Sequence, residues 1–262
     1  MADAAAFFDL DKTVIAKSST LAFRRPMHKA GMLGRRTLLK AGIGQLVYVL
    51  FGADHDQMEK VRTALVDLSE GWRRDEIEDL VEEALEDIVA PLVFAEALFL
   101  IDDHVREGRR VVIVSASPVE IVRPLAHYIG VDEVVATRSL VDEEGRFTGE
   151  LEFYAYGQGK ADEIERIAER DGISLQDSYA YSDSVTDLPM MEVVGHPVAV
   201  NPDKELRQEA ENRGWPVLEF QRQVSLRARL TRPVPLISGA TLAAGAAAVA
   251  AAAIVRSRRR RG

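Results

Sequence analysis

From residue 96 onward the chain alternates short apolar runs with helical segments, and no other feature restricts its fold as much. Residues 97 to 107 read as a helix ending at Gly108. The β-branched run Val111 to Val114 follows, a composition suited to a parallel strand buried on both faces. Ser117, Pro118 and Glu120 then have the order of a capping box with a helix-starting proline, and Pro124 is expected to kink or interrupt that helix. Val134 to Ala136 and Pro197 to Val200 read as further strands, and residues 142 to 149, DEEGRFTG, as a hairpin-like turn. Residues 159 to 172 form a helix stopped by Gly172, and the short strand Tyr179 to Tyr181 comes next. The order implies an α/β fold, a parallel sheet wrapped by helices.

Before residue 96 the pattern differs. Ala4 to Phe8 is a short apolar run ending at Asp9, a length that suits a buried strand. Residues 14 to 95 read as helical. In 75 to 88 the side chains Ile77, Leu80, Val81, Ala84, Leu85 and Ile88 recur at helical spacing, with carboxylates on the opposite, solvated face. Residues 37 to 52 are apolar nearly all round, yet contain Lys40 and are short for a membrane span.

Charge divides the chain a second time. Residues 221 to 262 hold nine arginines and no acid, against 24 basic and 42 acidic side chains in residues 1 to 220. So acidic a body is a poor surface for nucleic acid, which needs cations facing the phosphates. Pro235 to Val255 is 21 residues without a charge, about 31 Å if helical. That length and its arginine flanks predict a membrane anchor. The N-terminus has no basic region ahead of its apolar run, so no signal peptide is read and the body is expected in the cytoplasm, tethered to the membrane. The expected organisation is 1–16 and 96–220 as core, 17–95 as helical insert, 221–234 as basic linker, 235–255 as transmembrane helix and 256–262 as basic tail. Cysteine is absent, which excludes disulfides, thiolate zinc sites and a cysteine nucleophile. The five histidines form no ligand-spaced pair, and the oligomeric state is not legible.

Four local patterns carry chemistry. Asp9 and Asp11 stand two apart in DLDKT at the end of the first strand, where one carboxylate can attack an electrophile while the other moves protons. Ser115 follows the strand Val111 to Val114 directly, a place where a hydroxyl and free backbone N–H groups suit a phosphate oxygen. Lys160 opens a helix. Asp183 and Asp187 lie in a loop after another strand, able to hold a hard cation through oxygen. Each has a plainer reading: a polar loop, a helix cap, a surface lysine, an acidic turn. Three of the four nevertheless follow predicted strands, and open α/β sheets place ligands at carboxyl ends.

FFDLDKT, VIVSAS, GKAD and YSDSVTDLPM, in that order, resemble the four motifs of the haloacid dehalogenase superfamily, most closely its subfamily IB, phosphoserine-phosphatase-like branch, over residues 4 to 205. The resemblance implies a Rossmann-like core with an inserted helical cap of the C1 type, to which this chain adds the C-terminal hydrophobic helix. It implies that Asp9 attacks phosphorus to form an aspartyl-phosphate, and that Asp11 protonates the leaving oxygen and then activates water. It implies Mg²⁺ on Asp9, the Asp11 carbonyl and Asp183, with Asp187 orienting the metal shell and Ser115 and Lys160 binding phosphoryl oxygens. The expected activity is Mg²⁺-dependent hydrolysis of a small phosphate monoester.

Substrate is less determined. Where phosphoserine phosphatases place a glutamate nine residues after the nucleophile, this chain has Ser18, and Arg62 is the candidate for their carboxylate-binding cap arginine. Ser184 and Thr186 also stand where that branch commonly has glycine and asparagine. Phosphoserine is the default substrate. A membrane-associated ester such as a lysophospholipid is the rival, and a non-catalytic, membrane-tethered phosphate-binding scaffold is the alternative of a different class. Phosphotransfer to an alcohol uses the same residues.

Overall fold

Ala5–Asp9 (β1) has every residue buried, and it lies at the middle of a seven-stranded sheet. A computed structural model of the chain describes residues 3–32 and 66–223. The other strands are Arg110–Pro118 (β2), Glu133–Val141 (β3), Phe147–Phe153 (β4), Tyr179–Ser182 (β5), His196–Val200 (β6) and Val217–Leu218 (β7), in the spatial order β4-β3-β2-β1-β5-β6-β7. Every neighbouring pair is parallel except β3 with β4. The alternation of strands and helices led to the expectation of a parallel sheet, and the resemblance implied its Rossmann-like form; both are present.

The helices are Ser19–Ala22 (α1), Arg24–Lys29 (α2), Arg74–Ile88 (α3), Ala95–Arg106 (α4), Val119–Tyr128 (α5), Gln158–Asp171 (α6), Leu188–Glu192 (α7) and Lys204–Arg213 (α8). Core residues alternate along the strands. Phe7, Val112, Val114, Val135, Ala180 and Ala199 pack with Ile164, Ile167 and Ala168 of α6, Met190 and Met191 of α7, and Leu206 of α8. Full burial of such side chains stabilises by about 1.5–3 kcal/mol each for the larger ones. Phe8 stacks on Tyr181, ring centroids 4.3 Å apart, and meets the His104 ring of α4 edge-on. Arg109 donates to His104 Nδ1 at 3.0 Å, so the other ring nitrogen, 2.8 Å from the Tyr181 hydroxyl, carries the proton. Burial first, and Arg109 second, push His104 down to about 4, which keeps it neutral.

The stretch between β1 and α4 leaves and re-enters the core through a short neck. Phe94 N–H donates to the Val14 carbonyl at 3.0 Å, and Ala16 N–H donates to the Leu92 carbonyl at 2.8 Å. Of the helical region expected over 14 to 95, α1, α2 and α3 lie within the described residues. The apolar stretch 37 to 52 and Arg62 lie outside them.

One expectation fails at the end of β2. That strand continues through Pro118, and the capping box does not form. Pro118 occupies the N-cap, no side chain caps the helix, and Glu120 is buried with Oε2 unpartnered. Pro124 lies inside α5, which runs on past it to Tyr128. It is the sixth helical residue, so the acceptor it forfeits is in the first turn, where the helix is least cooperative.

The chain divides at Ser225 and Leu226. The helix expected over 235–255 and the basic tail 256–262 lie outside the described residues, as does the linker from residue 224. Among the described residues no helix is long and apolar enough to cross a membrane.

Candidate active site

Asp9 is the last residue of β1, and the chain reverses immediately after it. Val14 and Ile15 N–H both donate to the Leu10 carbonyl, at 2.9 and 3.0 Å, which closes a tight turn around Asp11. Lys12 takes a positive φ of 62° within that turn, a conformation disfavoured for a residue with a Cβ. The turn lets two carboxylates that alternate along the chain both reach the carboxyl edge of the sheet. Ser115, in β2 one residue past the Val114 that pairs with Asp9, and Asp183, directly after β5, lie on the two strands that flank β1.

Lys160 ties these pieces together. It is 2 % exposed, and Nζ donates to Asp9 Oδ1 at 2.7 Å and to Asp187 Oδ2 at 2.8 Å. Asp187 Oδ2 also accepts from the Ser182 hydroxyl at 2.7 Å. The plainer reading of Lys160 as a surface lysine is therefore excluded. Its position depends on Gly159, where a Cβ would fall 2.4 Å from the Tyr154 carbonyl oxygen. Gly159→Ala should force the start of α6 away from that backbone. A loss of about 1–3 kcal/mol in a urea titration is expected, with activity reduced because Lys160 moves too.

Electrostatics here are dominated by burial, to which crowded acids add. Burial raises the Asp9 carboxyl well above its usual range, and Asp187 and Asp183 raise it further against the opposing pull of Lys160. Burial also pushes Asp183 up to about 7, while Lys12, 3.7 Å away, opposes the shift. Burial would pull the Lys160 ammonium down, but Asp187 and Asp9 overcome it and hold the group charged. Burial raises Asp11 as well, offset by hydrogen bonds from the Ser19 amide at 2.8 Å and the Ser117 hydroxyl at 3.1 Å. Such a set, short of positive charge, suits an added cation.

Oxygen donors of this kind fit Mg²⁺, which keeps several waters and takes only one or two carboxylates from protein. Among the described residues no three acids or histidines gather closely enough to hold a metal by side chains alone. A donor set of two carboxylates, Asp9 and Asp183, and the Asp11 carbonyl does not require three.

The structure thus brings together Asp9, Lys160 and Asp187 by direct contact, Asp183 through its influence on Asp9, and Asp11 and Ser115 through Ser117. Ser18 precedes α1 next to Ser19, whose amide reaches Asp11. Several contributors escaped the sequence reading: Lys12, Ser117, Ser182, Gly159 and Asp203. Asp203 N–H donates to the Asp183 carbonyl at 2.7 Å, and its carboxylate accepts from Val185 N–H at 3.0 Å. A lysine directly after the second acid of DLDK and a second serine in VSAS were the available signals for two of these.

Residues 6–192 match the family model of haloacid dehalogenase-like hydrolases. The chain belongs to that family. This haloacid dehalogenase-like hydrolase is 54% identical over 241 residues to a Mycobacterium tuberculosis protein named “probable phosphatase”, covering 92% of this chain and 84% of that one. It is 33% identical over 247 residues to a phosphoserine phosphatase of the same species, covering 93% and 78%. Among solved structures, a Bordetella pertussis protein of unknown function superposes with a TM-score of 0.71 at 27% identity, over 83% of this chain and 99% of that one. The hydrolase is a phosphatase, and the expectation of a non-catalytic scaffold is set aside.

Proposed function

We propose that this phosphatase is a Mg²⁺-dependent phosphomonoesterase that works through an aspartyl-phosphate on Asp9, with a small, phosphoserine-like ester as substrate. One observation carries the reading: a buried ammonium shared by Asp9 and Asp187, at the strand edge where Ser115 also lies. An Asp9 oxygen forms a bond to phosphorus as the ester P–O bond breaks. Asp11 gives its proton to the departing alcohol oxygen. Asp11 then takes a proton from water as that water attacks phosphorus and frees Asp9. Lys160 and Ser115 hold the phosphoryl oxygens, and the ammonium offsets the repulsion between two anions. Mg²⁺, when bound at Asp9, Asp183 and the Asp11 carbonyl and oriented by Asp187, supplies further charge neutralisation at the same oxygens. Residues 17–95 serve as the cap over this site, with Ser18 and Arg62 as its candidate substrate contacts. The name of the 33%-identical relative supports phosphoserine as the first substrate to assay.

Purified protein should release phosphate from phosphoserine with added Mg²⁺ and stop when a chelator is added. Silence across a panel of phosphate esters with Mg²⁺ present would discard the reading. The uncharged run 235–255 favours a second substrate class, a membrane phosphate ester such as a lysophospholipid, with the body held at the membrane. Hydrolysis of phosphoserine without any of lipid phosphates removes that second reading. Recovery of the full-length protein in the soluble fraction without detergent removes the tether.

Acid and metal should compete at this site. Asp183 has a folded value of about 7 against an ordinary 3.8, so between those pH values the folded metal-free protein retains a proton that the unfolded chain has lost. Its contribution to stability is complete in acid and lost as pH rises through about 7. Mg²⁺ needs the carboxylate free of that proton. The rise in melting temperature on adding Mg²⁺ should therefore grow from pH 5 to pH 7.5. His104 tilts stability the other way, but it does so with and without metal, so the difference isolates the acids. A Mg²⁺ effect that is flat across this range contradicts the metal assignment.

A further inference from the structure

We propose that Ser117 is a positioning residue for Asp11, holding that carboxylate in place through a hydroxyl chain that begins in α1. Ser117 is free for this role because it does not cap α5. Its hydroxyl is buried and donates to Asp11 Oδ2 at 3.1 Å. It accepts in turn from the Ser19 hydroxyl at 2.9 Å and lies 3.1 Å from the Thr20 hydroxyl. The other Asp11 oxygen, Oδ1, accepts from Ser19 N–H at 2.8 Å. Asp11 is thus gripped at both oxygens, from β2 on one side and from the start of α1 on the other. A carboxylate on a flexible χ pair loses catalytic value quickly when misplaced, since proton transfer requires hydrogen-bond reach. The Ser117 amide also donates to Ser115 Oγ at 3.2 Å, so one residue joins the proton-transfer group to the phosphate-binding hydroxyl.

This inference rests on the reading of Asp11 as proton donor, and its test separates the two. In the first chemical step the Asp9 oxygen–phosphorus bond forms, the ester oxygen–phosphorus bond breaks, and the proton of Asp11 goes to the ester oxygen. An alkyl phosphate needs that proton. An aryl phosphate does not, because aryloxide leaves unaided. With enzyme in excess over substrate and Mg²⁺ present, single-turnover release of alcohol or phenol reports this step alone. Ser117→Ala should slow alkyl phosphate cleavage by about 10- to 100-fold, while aryl phosphate cleavage stays within about threefold. Asp11→Asn should show the same split, enlarged. In the double variant Ser117→Ala should add nothing to the loss already caused by Asp11→Asn, since it acts through that carboxylate. Equal losses on both esters from Ser117→Ala, or additive losses in the double variant, would overturn the positioning role and leave Asp11 its function. If Asp11→Asn itself fails to distinguish the esters, the proton-donor reading fails and the role of Ser117 goes with it.

Discussion

Asp9→Asn is expected to abolish phosphate release, by on the order of 10⁴-fold or more, in a protein that remains folded. The amide retains the shape of the carboxylate and an oxygen for Lys160 to donate to, so the 2.7 Å contact has a neutral counterpart. Nucleophilicity is what disappears. Stability should hold or rise, because the substitution removes a buried acid whose ionised form is disfavoured by burial and by Asp187 and Asp183. The check is a paired measurement: phosphate release with Mg²⁺, and thermal unfolding with chelator. Asp9→Asn with near-normal turnover would end the aspartyl-phosphate reading. A variant that is inactive only because it unfolds would instead show that Asp9 is needed for the fold.

Lys160→Met should be damaging in both respects. The side chain is enclosed, and its ammonium is shared between Asp9 and Asp187. Methionine of similar length fills the space but leaves two buried carboxylates without their cation. Breaking a buried pair in this way typically costs about 3–5 kcal/mol. Activity should also fall by at least about a hundredfold, since the variant loses a charge aimed at the phosphoryl oxygens. Part of the stability loss should return in acid, where Asp9, raised by burial, takes up a proton, and a urea titration at pH 5 and at pH 8 measures that recovery. Lys160→Met with unchanged stability at both values would mean that the ion pair contributes nothing to the fold.

The strands of this sheet were legible in proportion to how apolar they are. β2, β3, β5 and β6 each contain the run that predicted them, and β1 contains all of its run but Ala4; β2 and β3 extend past theirs because polar residues such as Ser115 and Arg138 still pair with neighbouring backbone. β4 was not read as a strand. At the sheet margin its residues alternate between half-buried and exposed after Phe147, so FTGELEF lacks a buried strand's signature. α8 escaped as well, since KELRQEAENR buries only Leu206 and Ala210 and owes its start to Asp203, whose carboxylate accepts from Leu206 N–H. The acids of the site were legible because their spacing and order are local properties. The hydroxyls around them were not: Ser117 acts on a carboxylate that only folding brings near, and the Ser19 hydroxyl acts on it through Ser117. At Ser117 a correct local rule, serine before proline at a helix start, lost to a tertiary partner 106 residues away in the chain.

The middle position of β1 has a mechanical consequence. Its backbone is fastened on both flanks, by β2 from Ala5 to Asp9 and by β5 from Ala6 to Phe8. The stretch that follows it departs through the narrow neck at Val14 and Phe94. Local opening of the chain around the site therefore has to break pairings on both of these flanks before it can loosen the anchor of the attacking group.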